Sequence, residues 1–393
     1  MAFSVISGVR LSALGVVVPS NNLSLHDELA HFDNNPEKAR RMSELSGLAT
    51  RRIAPPGVTA ADLCADAAER LLEGRDKNGT GMIIFVSHSP DYMLPASASI
   101  LQHRLDLPSS CGALDMNVGC AGFVNGLWMA ASLIASGAVK KTLLLVGDTP
   151  ARFADPDNRV VAPVFGDAGT AALLEAAPGE DMNFCLANDG TKHQALVIPG
   201  GGARIPFSAA DSPADPAARL VRDGKNTPWT LGGYCRIWMD GAAIYSFGVS
   251  VVPRHIRKHL EKCGLATGAV RRLFLHQANK IMVEAIARKS GFSPEQTPFD
   301  CLGRYGNLGS SSIPAQMCAH FADGEREARQ QVMLCAFGAG LAASSCILSL
   351  ENTDIRPVRE YSPPKNHPSR DDNIRHWHEK FYGKQHVNTA GAP

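Results

Sequence analysis

Short apolar runs alternate along this chain with longer stretches whose apolar residues recur at helical spacing. Residues 81–88 (GMIIFVSH) read as a buried strand, 96–105 as a helix, 112–117 as a short strand and 141–148 (KTLLLVGD) as another strand. Residues 120–139 carry no charged side chain, which predicts a helix buried on all sides inside a layered domain rather than a membrane span. Asn125, Ser132 and Ser136 interrupt that run, and Lys140-Lys141 lead straight into the next strand. Residues 164–175 (VFGDAGTAALLE) read as a glycine turn entering a strand. Strands alternating with helices predict an α/β fold.

The same order then returns. Residues 271–276 (RRLFLH) read as a strand, 280–290 as a helix, 305–307 as the end of a turn, 312–322 as a helix and 331–337 (QVMLCAF) as a strand. Residues 338–350 (GAGLAASSCILSL) again form a glycine turn entering a strand and answer GDAGTAALL of the first half. Two related halves, an internal duplication, are therefore expected to face each other across a shared centre. The boundaries this implies are 1–187 for the first half and 237–350 for the second, which opens with an amphipathic helix over 239–260. Residues 188–236, rich in Gly, Pro, Ala and Asp and including Pro199 to Gly202 and Asp211-Ser212-Pro213, read as loops capping the site, or as a plain linker. Residues 351–393, with five prolines, four histidines and many charges, read as a tail outside the core.

Composition narrows the function classes. The chain has 393 residues, enough for a large core, and a net charge of +1, so bulk attraction to nucleic acid or to an anionic membrane is not implied. The ten cysteines form no CxxC pair, and most sit in apolar settings, which reads as a reducing, cytoplasmic compartment without a zinc or redox motif. Residues 1–18 do not have the shape of a secretion signal. The tail histidines lack metal-ligand spacing apart from His376 and His378, so no metal site is expected.

Candidate chemistry centres on Cys120, in DMNVGCAGF. The pattern puts this thiol on a tight turn at a helix N-terminus, where backbone N–H groups and the helix dipole favour a thiolate. Such a thiol is a nucleophile, although a buried free cysteine also serves simply as a small hydrophobe. His276 follows an apolar strand in LHQAN, and Asn307 lies in YGNLGSSSIP. Each also has a plain structural use, as a satisfied strand-end histidine and as a turn former. Together they offer a nucleophile, a base or N–H donor, and an amide donor.

These motifs resemble β-ketoacyl-acyl carrier protein synthase III, of the thiolase superfamily. The resemblance runs from about Val9 to Leu350 and rests on DMNVGCAGF, VFGDAG around Asp167, LHQAN, YGNLGSSSIP and FGAG around Gly338, in that order. It implies a thiolase fold with αβαβα layers, usually homodimeric, with Cys120, His276 and Asn307 as a catalytic triad. It implies that Cys120 takes an acyl group from a thioester, then condenses it with a malonyl thioester as carbon dioxide leaves. The backbone N–H groups of Cys120 and Ala339 would form an oxyanion hole, and Asp167 would be structural. Phe337 and Leu94 would bound the acyl pocket, Leu94 from a dimer interface, and leucine there leaves room for more than an acetyl group. No metal, nucleotide or other cofactor is implied, only the two thioesters.

The departures from the family pattern also inform. Residues 41–48 (RMSELSGL) lack the tryptophan that relatives with a coenzyme A primer carry, which favours an acyl carrier protein as first donor over coenzyme A. Ile281 stands where relatives use an arginine for carrier docking; Lys280, Arg254, Arg257 and Lys258 remain to meet an acidic carrier. Acyl transfer to an alcohol or amine without decarboxylation is the alternative on the same fold. A papain-like hydrolase would want Trp after the nucleophile and a secretion signal, a plant-type polyketide synthase a Pro-Gly-Gly run after the histidine, and an inactive partner subunit would lack the cysteine.

Overall fold

The computed structural model describes residues 1–206, 221–222, 228–229, 235–321, 329–364 and 367–382. Its frame is a ten-stranded sheet in the order Arg272–Leu275, Val332–Gly338, Ala342–Leu348, Ala168–Asn188, Lys141–Asp148, Met82–Val86, Gly112–Met116, with Ala2–Val18 alongside Ala168–Asn188. Two long strands make this one sheet into two. Residues 9–17 pair with 169–176 in the first half, and 2–6 pair with 182–186 in the second, with a register shift between. Ala168–Asn188 likewise borders Lys141–Asp148 at one end and Ala342–Leu348 at the other.

Strand periodicity explains the layers. Leu144 and Val146 face a central core, while Leu143 and Leu145 face an outer one. Phe274 and Leu334 likewise face the centre, and Leu273, Leu275, Met333 and Cys335 the other outer layer. Strands buried on both faces read as continuous apolar runs, as these do. The helices Gly122–Ala135 and Ser312–Phe321 fill the centre through Phe123, Leu127, Ile134, Met317 and Phe321. Ala60–Leu72 and Ser97–Arg104 cover one outside, and Gly241–Lys262 and Lys280–Ser290 the other. The αβαβα order and the two like halves are thus both present.

Most expected elements stand within a residue or two of their predicted ends. The uncharged run 120–139 becomes the buried helix Gly122–Ala135, and the helix expected over 239–260 runs Gly241–Lys262, with Asp240 capping it through Ala243 N at 2.9 Å. One element was not anticipated, and one expectation is corrected. The N-terminal stretch is the strand Ala2–Val18, which no strand reading anticipated. The tail does not begin outside the core at residue 351: Asp354–Ile355 and Arg359–Glu360 pair in parallel with Ala2–Val18, and Ile355 and Tyr361 are buried. Beyond them the helix Arg370–Tyr382 packs Trp377 edge-on against Tyr92 at 6.0 Å. Of the capping segment, Leu196–Val197 pairs with Trp238–Met239. Asp211, Ser212, Pro213 and Ala322 lie outside the described residues.

Candidate active site

Cys120 sits in the turn between strand Gly112–Met116 and helix Gly122–Ala135, closed by Gly122 N donating to Gly119 O at 2.5 Å. Two glycines make the turn possible. A Cβ on Gly338 would lie 2.8 Å from the Cys120 Sγ, so the second-half glycine loop rests directly on the sulfur. A Cβ on Gly119 would lie 2.5 Å from Cε1 of His88, whose ring covers the residue before the nucleophile. The backbone N–H groups of Ala339 and of Cys120 itself both face the sulfur.

The expected acidic thiol is corrected here. Burial pushes the Cys120 thiol up to about 12, and the Asp148 carboxylate adds to the rise against the pull of the two N–H groups. Loss of solvent around this half-buried cysteine, with the nearby carboxylate, outweighs what the turn's N–H groups favour. The cysteine is therefore a neutral thiol near pH 7.

His276 is 3 % exposed and lies edge-on to Phe337 at 5.4 Å, one residue before Gly338. Burial lowers it to about 4, against the opposing effect of the Gly309 carbonyl, so it is neutral near pH 7. A neutral imidazole carries one N–H to donate. The rest of LHQAN is structural: Gln277 Nε2 donates to Leu275 O at 3.0 Å, and Asn279 caps Lys280–Ser290 by accepting from Met282 N at 2.9 Å.

Asn307 is buried, and its backbone is clamped to the first half. Its N–H donates to Val164 O and its carbonyl accepts from Gly166 N, each at 3.0 Å. Its Oδ1 accepts from Gly309 N at 3.0 Å. Because that backbone group can only donate, the oxygen must face it, and the NH₂ end of the carboxamide is left free to donate. VFGDAG and YGNLG thus form one joint. Asp167 secures it by accepting from Ala54 N at 2.8 Å and Ala151 N at 3.1 Å, while burial raises its pKa to about 7.

The three expected residues thus lie in one contact network: Cys120 on Gly338, Phe337 on His276, and Gly309 beside both His276 and Asn307. Sequence reasoning missed Asp148. This buried carboxylate accepts from Ser310 Oγ at 2.6 Å, His88 N at 2.7 Å and Ser87 Oγ at 3.1 Å, joining both halves behind the nucleophile. A polar residue closing the apolar run KTLLLV was its signal. His88 was missed too.

Leu94 is 82 % exposed on the loop before helix Ser97–Arg104 and does not line the cavity beside Cys120 in this chain. Phe337 is fully buried against His276. Arg254, Arg257 and Lys258 stand exposed on helix Gly241–Lys262, and Lys280 opens the neighbouring helix.

The chain matches the family described as 3-oxoacyl-[acyl-carrier-protein (ACP)] synthase III over residues 114–190, and the C-terminal part of that family over 260–350. It is 32% identical over 359 residues to a putative 3-oxoacyl-[acyl-carrier-protein] synthase 3 of Campylobacter jejuni, covering 91% of this chain and 98% of that one. This chain belongs to the 3-oxoacyl-[acyl-carrier-protein] synthase III family. A solved structure, the 3-oxoacyl-(acyl-carrier protein) synthase of Burkholderia xenovorans, superposes with a TM-score of 0.82 at 32% identity, over 92% of this chain and 99% of that one. The β-ketoacyl-[acyl-carrier-protein] synthase III 2 of Halalkalibacterium halodurans is 30% identical over 347 residues, 87% of this chain and 97% of that relative. Both synthase III half-motifs, the cysteine turn and the His–Asn loops, fall inside the two matched stretches.

Proposed function

We propose that this enzyme builds a β-ketoacyl thioester by decarboxylative condensation, with Cys120 as nucleophile and His276 and Asn307 as paired donors. In the first step the Cys120 sulfur attacks an acyl thioester, the carbonyl–sulfur bond to the donor breaks, and the donor leaves as its free thiol with the cysteine proton. The N–H groups of Cys120 and Ala339 hold the oxyanion. In the second step a malonyl thioester loses carbon dioxide, and the electron pair collects as an enolate on its thioester oxygen. Neutral His276, its N–H turned from the Gly309 carbonyl, and the Asn307 NH₂ donate to that oxygen. The enolate carbon then attacks the acyl-cysteine, the new carbon–carbon bond forms, the bond to Cys120 breaks, and the sulfur takes a proton. The sequence balances with two thioesters and one proton, so no metal or other cofactor enters it.

The observation that carries this reading is the pinned carboxamide of Asn307. With its oxygen held by the Gly309 N–H the carboxamide turns its NH₂ donors the other way, which suits an enolate, and a carboxamide supplies no base to an incoming alcohol or amine. One donor of this kind is worth about 100- to 1,000-fold. Asn307→Ala should therefore keep acylation of Cys120 within a few-fold and lose malonyl decarboxylation by about 100-fold. Equal loss of both steps would make Asn307 purely structural and remove the condensation reading.

The family relationship favours an acyl carrier protein as the thioester carrier, and the exposed Arg254, Arg257 and Lys258 with Lys280 suit its acidic surface; a coenzyme A donor lacks a stacking tryptophan in residues 41–48. Ten free cysteines suit a reducing, cytoplasmic setting, and among the described residues no helix is long and apolar enough to cross a membrane. A homodimer is part of the reading: strand Gly112–Met116 ends the sheet and carries the exposed Leu114, and Met93 and Leu94 are exposed on the loop before helix Ser97–Arg104. Pairing there would bring Leu94 towards the other copy's site.

A further inference from the structure

A cavity of about 550 Å³ opens beside the nucleophile, between Gly119 on one side and Ala339 and Gly340 on the other. A space of that size holds far more than an acetyl group. Its walls are apolar in part, Leu186 among them, but five side chains with hydrogen-bonding groups also line it: His88, Asn117, Asn125, Asn188 and Ser344. None of the lining residues is Asp, Glu, Lys or Arg. The Asn125 carboxamide oxygen is shut off from solvent and has no hydrogen-bond partner among the described residues. Ser344 lines the same cavity, buried at 2 % exposure, while His88 and Asn188 stand exposed at the outer end. The Asn188 Oδ1 is close against the glycine loop, 2.5 Å from where a Cβ on Gly340 would be. A pocket made only for a hydrocarbon chain gains nothing from these groups and bears the cost of leaving the Asn125 oxygen unpaired.

Resting on the condensation reading above, we infer that the acyl group loaded onto Cys120 is longer than acetyl and carries a neutral hydrogen-bonding oxygen, either a hydroxyl, which donates to the Asn125 carboxamide oxygen, or a ketone, which accepts from the Ser344 hydroxyl. Leu186 and its apolar neighbours hold the carbon chain. The absence of a charged side chain from the lining selects against an acyl group ending in a carboxylate or an ammonium, whose charge would be left unpaired. Asn125 lies on the helix that starts at the nucleophile turn, so the group that reads the substituent is fixed rigidly to the group that is acylated.

The test compares hexanoyl pantetheine thioester with its 3-, 4- and 5-hydroxy and 3- and 5-oxo counterparts and with adipoyl, following the mass added to Cys120 with time. At least one hydroxy or oxo isomer should load about five- to tenfold faster than hexanoyl, the worth of one net hydrogen bond. Adipoyl should be slower than that isomer. Asn125→Leu or Ser344→Ala should bring the ratio of that isomer to hexanoyl towards one. The inference alone is overturned if hexanoyl loads as fast as every oxygenated isomer, or if the preference survives both substitutions. Failure of all the thioesters to modify Cys120 would overturn the condensation reading and this inference with it.

Discussion

At the scale of single residues, the notable result is that position at a helix start does not settle the state of Cys120. Two N–H groups point at its sulfur, yet burial and the Asp148 carboxylate hold the thiol up at about 12. Asp148→Asn keeps the shape and removes one of the two raising causes, so the pH profile of Cys120 alkylation should move to lower pH. An unmoved profile would show that burial alone sets it. Cys120→Ala should take up no acyl group from any thioester by intact-mass measurement, and an adduct on that variant would assign the nucleophile elsewhere. Asn307 and His276 were visible in the sequence as polar residues breaking glycine-rich or strand-end motifs. Asp148 was not, because its partners Ser310 and Ser87 are distant in sequence and only the packed halves bring them to it.

At the scale of elements, the active-site turn depends on side chains that are missing. Gly338→Ala puts a methyl group 2.6 Å from the Cys120 Cβ and Gly119→Ala one 2.5 Å from the His88 ring. Overpacking of this kind typically costs about 1–3 kcal/mol. Gly338→Ala should also displace the Ala339 N–H from the sulfur, so it should slow Cys120 acylation by at least about tenfold, the scale of losing part of an oxyanion donor. Gly119→Ala meets a side chain that can swing away, and its acylation should fall less; the ratio of the two rates checks the order. The strands and helices that carry these turns were readable from periodicity, since strands buried on both faces and a helix without charge leave a strong apolar pattern. The strand Ala2–Val18 was not readable, because its first residues are mostly exposed or half-buried without strict alternation while its remainder is buried throughout.

At the scale of the whole molecule, the two halves are held together by long strands, a shared central layer and the sheet-edging residues 354–361. Ending the chain after Pro364 should leave a folded protein, because the helix Arg370–Tyr382 is lost but every strand of the large sheet is kept. Ending it after Leu350 removes buried Ile355 and Tyr361 and the strands that edge Ala2–Val18, and should lower the melting temperature or yield insoluble protein. Equal melting temperatures for the two truncations would contradict this. Acid should weaken the contribution of the buried histidines to the fold, against the opposite effect of Asp167 and Asp91, which burial raises to about 7 and about 6. Burial lowers His255, His259 and His276 from 6.5 to about 4, so these groups stay neutral in the fold while the unfolded chain takes up protons. Their contribution is complete above pH 6.5 and falls away as the pH drops towards 4, each pKa unit being worth about 1.4 kcal/mol. The denaturation midpoint measured across that window should therefore fall more steeply than in a His255→Asn, His259→Asn variant, in which two of the three groups cannot titrate.

By itself the sequence determined the alternation of strands and helices, the repeated order of the two halves and the three residues at motif ends, because each is written in local spacing. Only the tertiary structure decided the charge state of the thiol, the buried carboxylate that spans both halves, the half-polar cavity beside Cys120 and the place of residues 354–361 in the sheet. Those depend on solvent exclusion and on contacts between residues far apart in the chain, which no local pattern records.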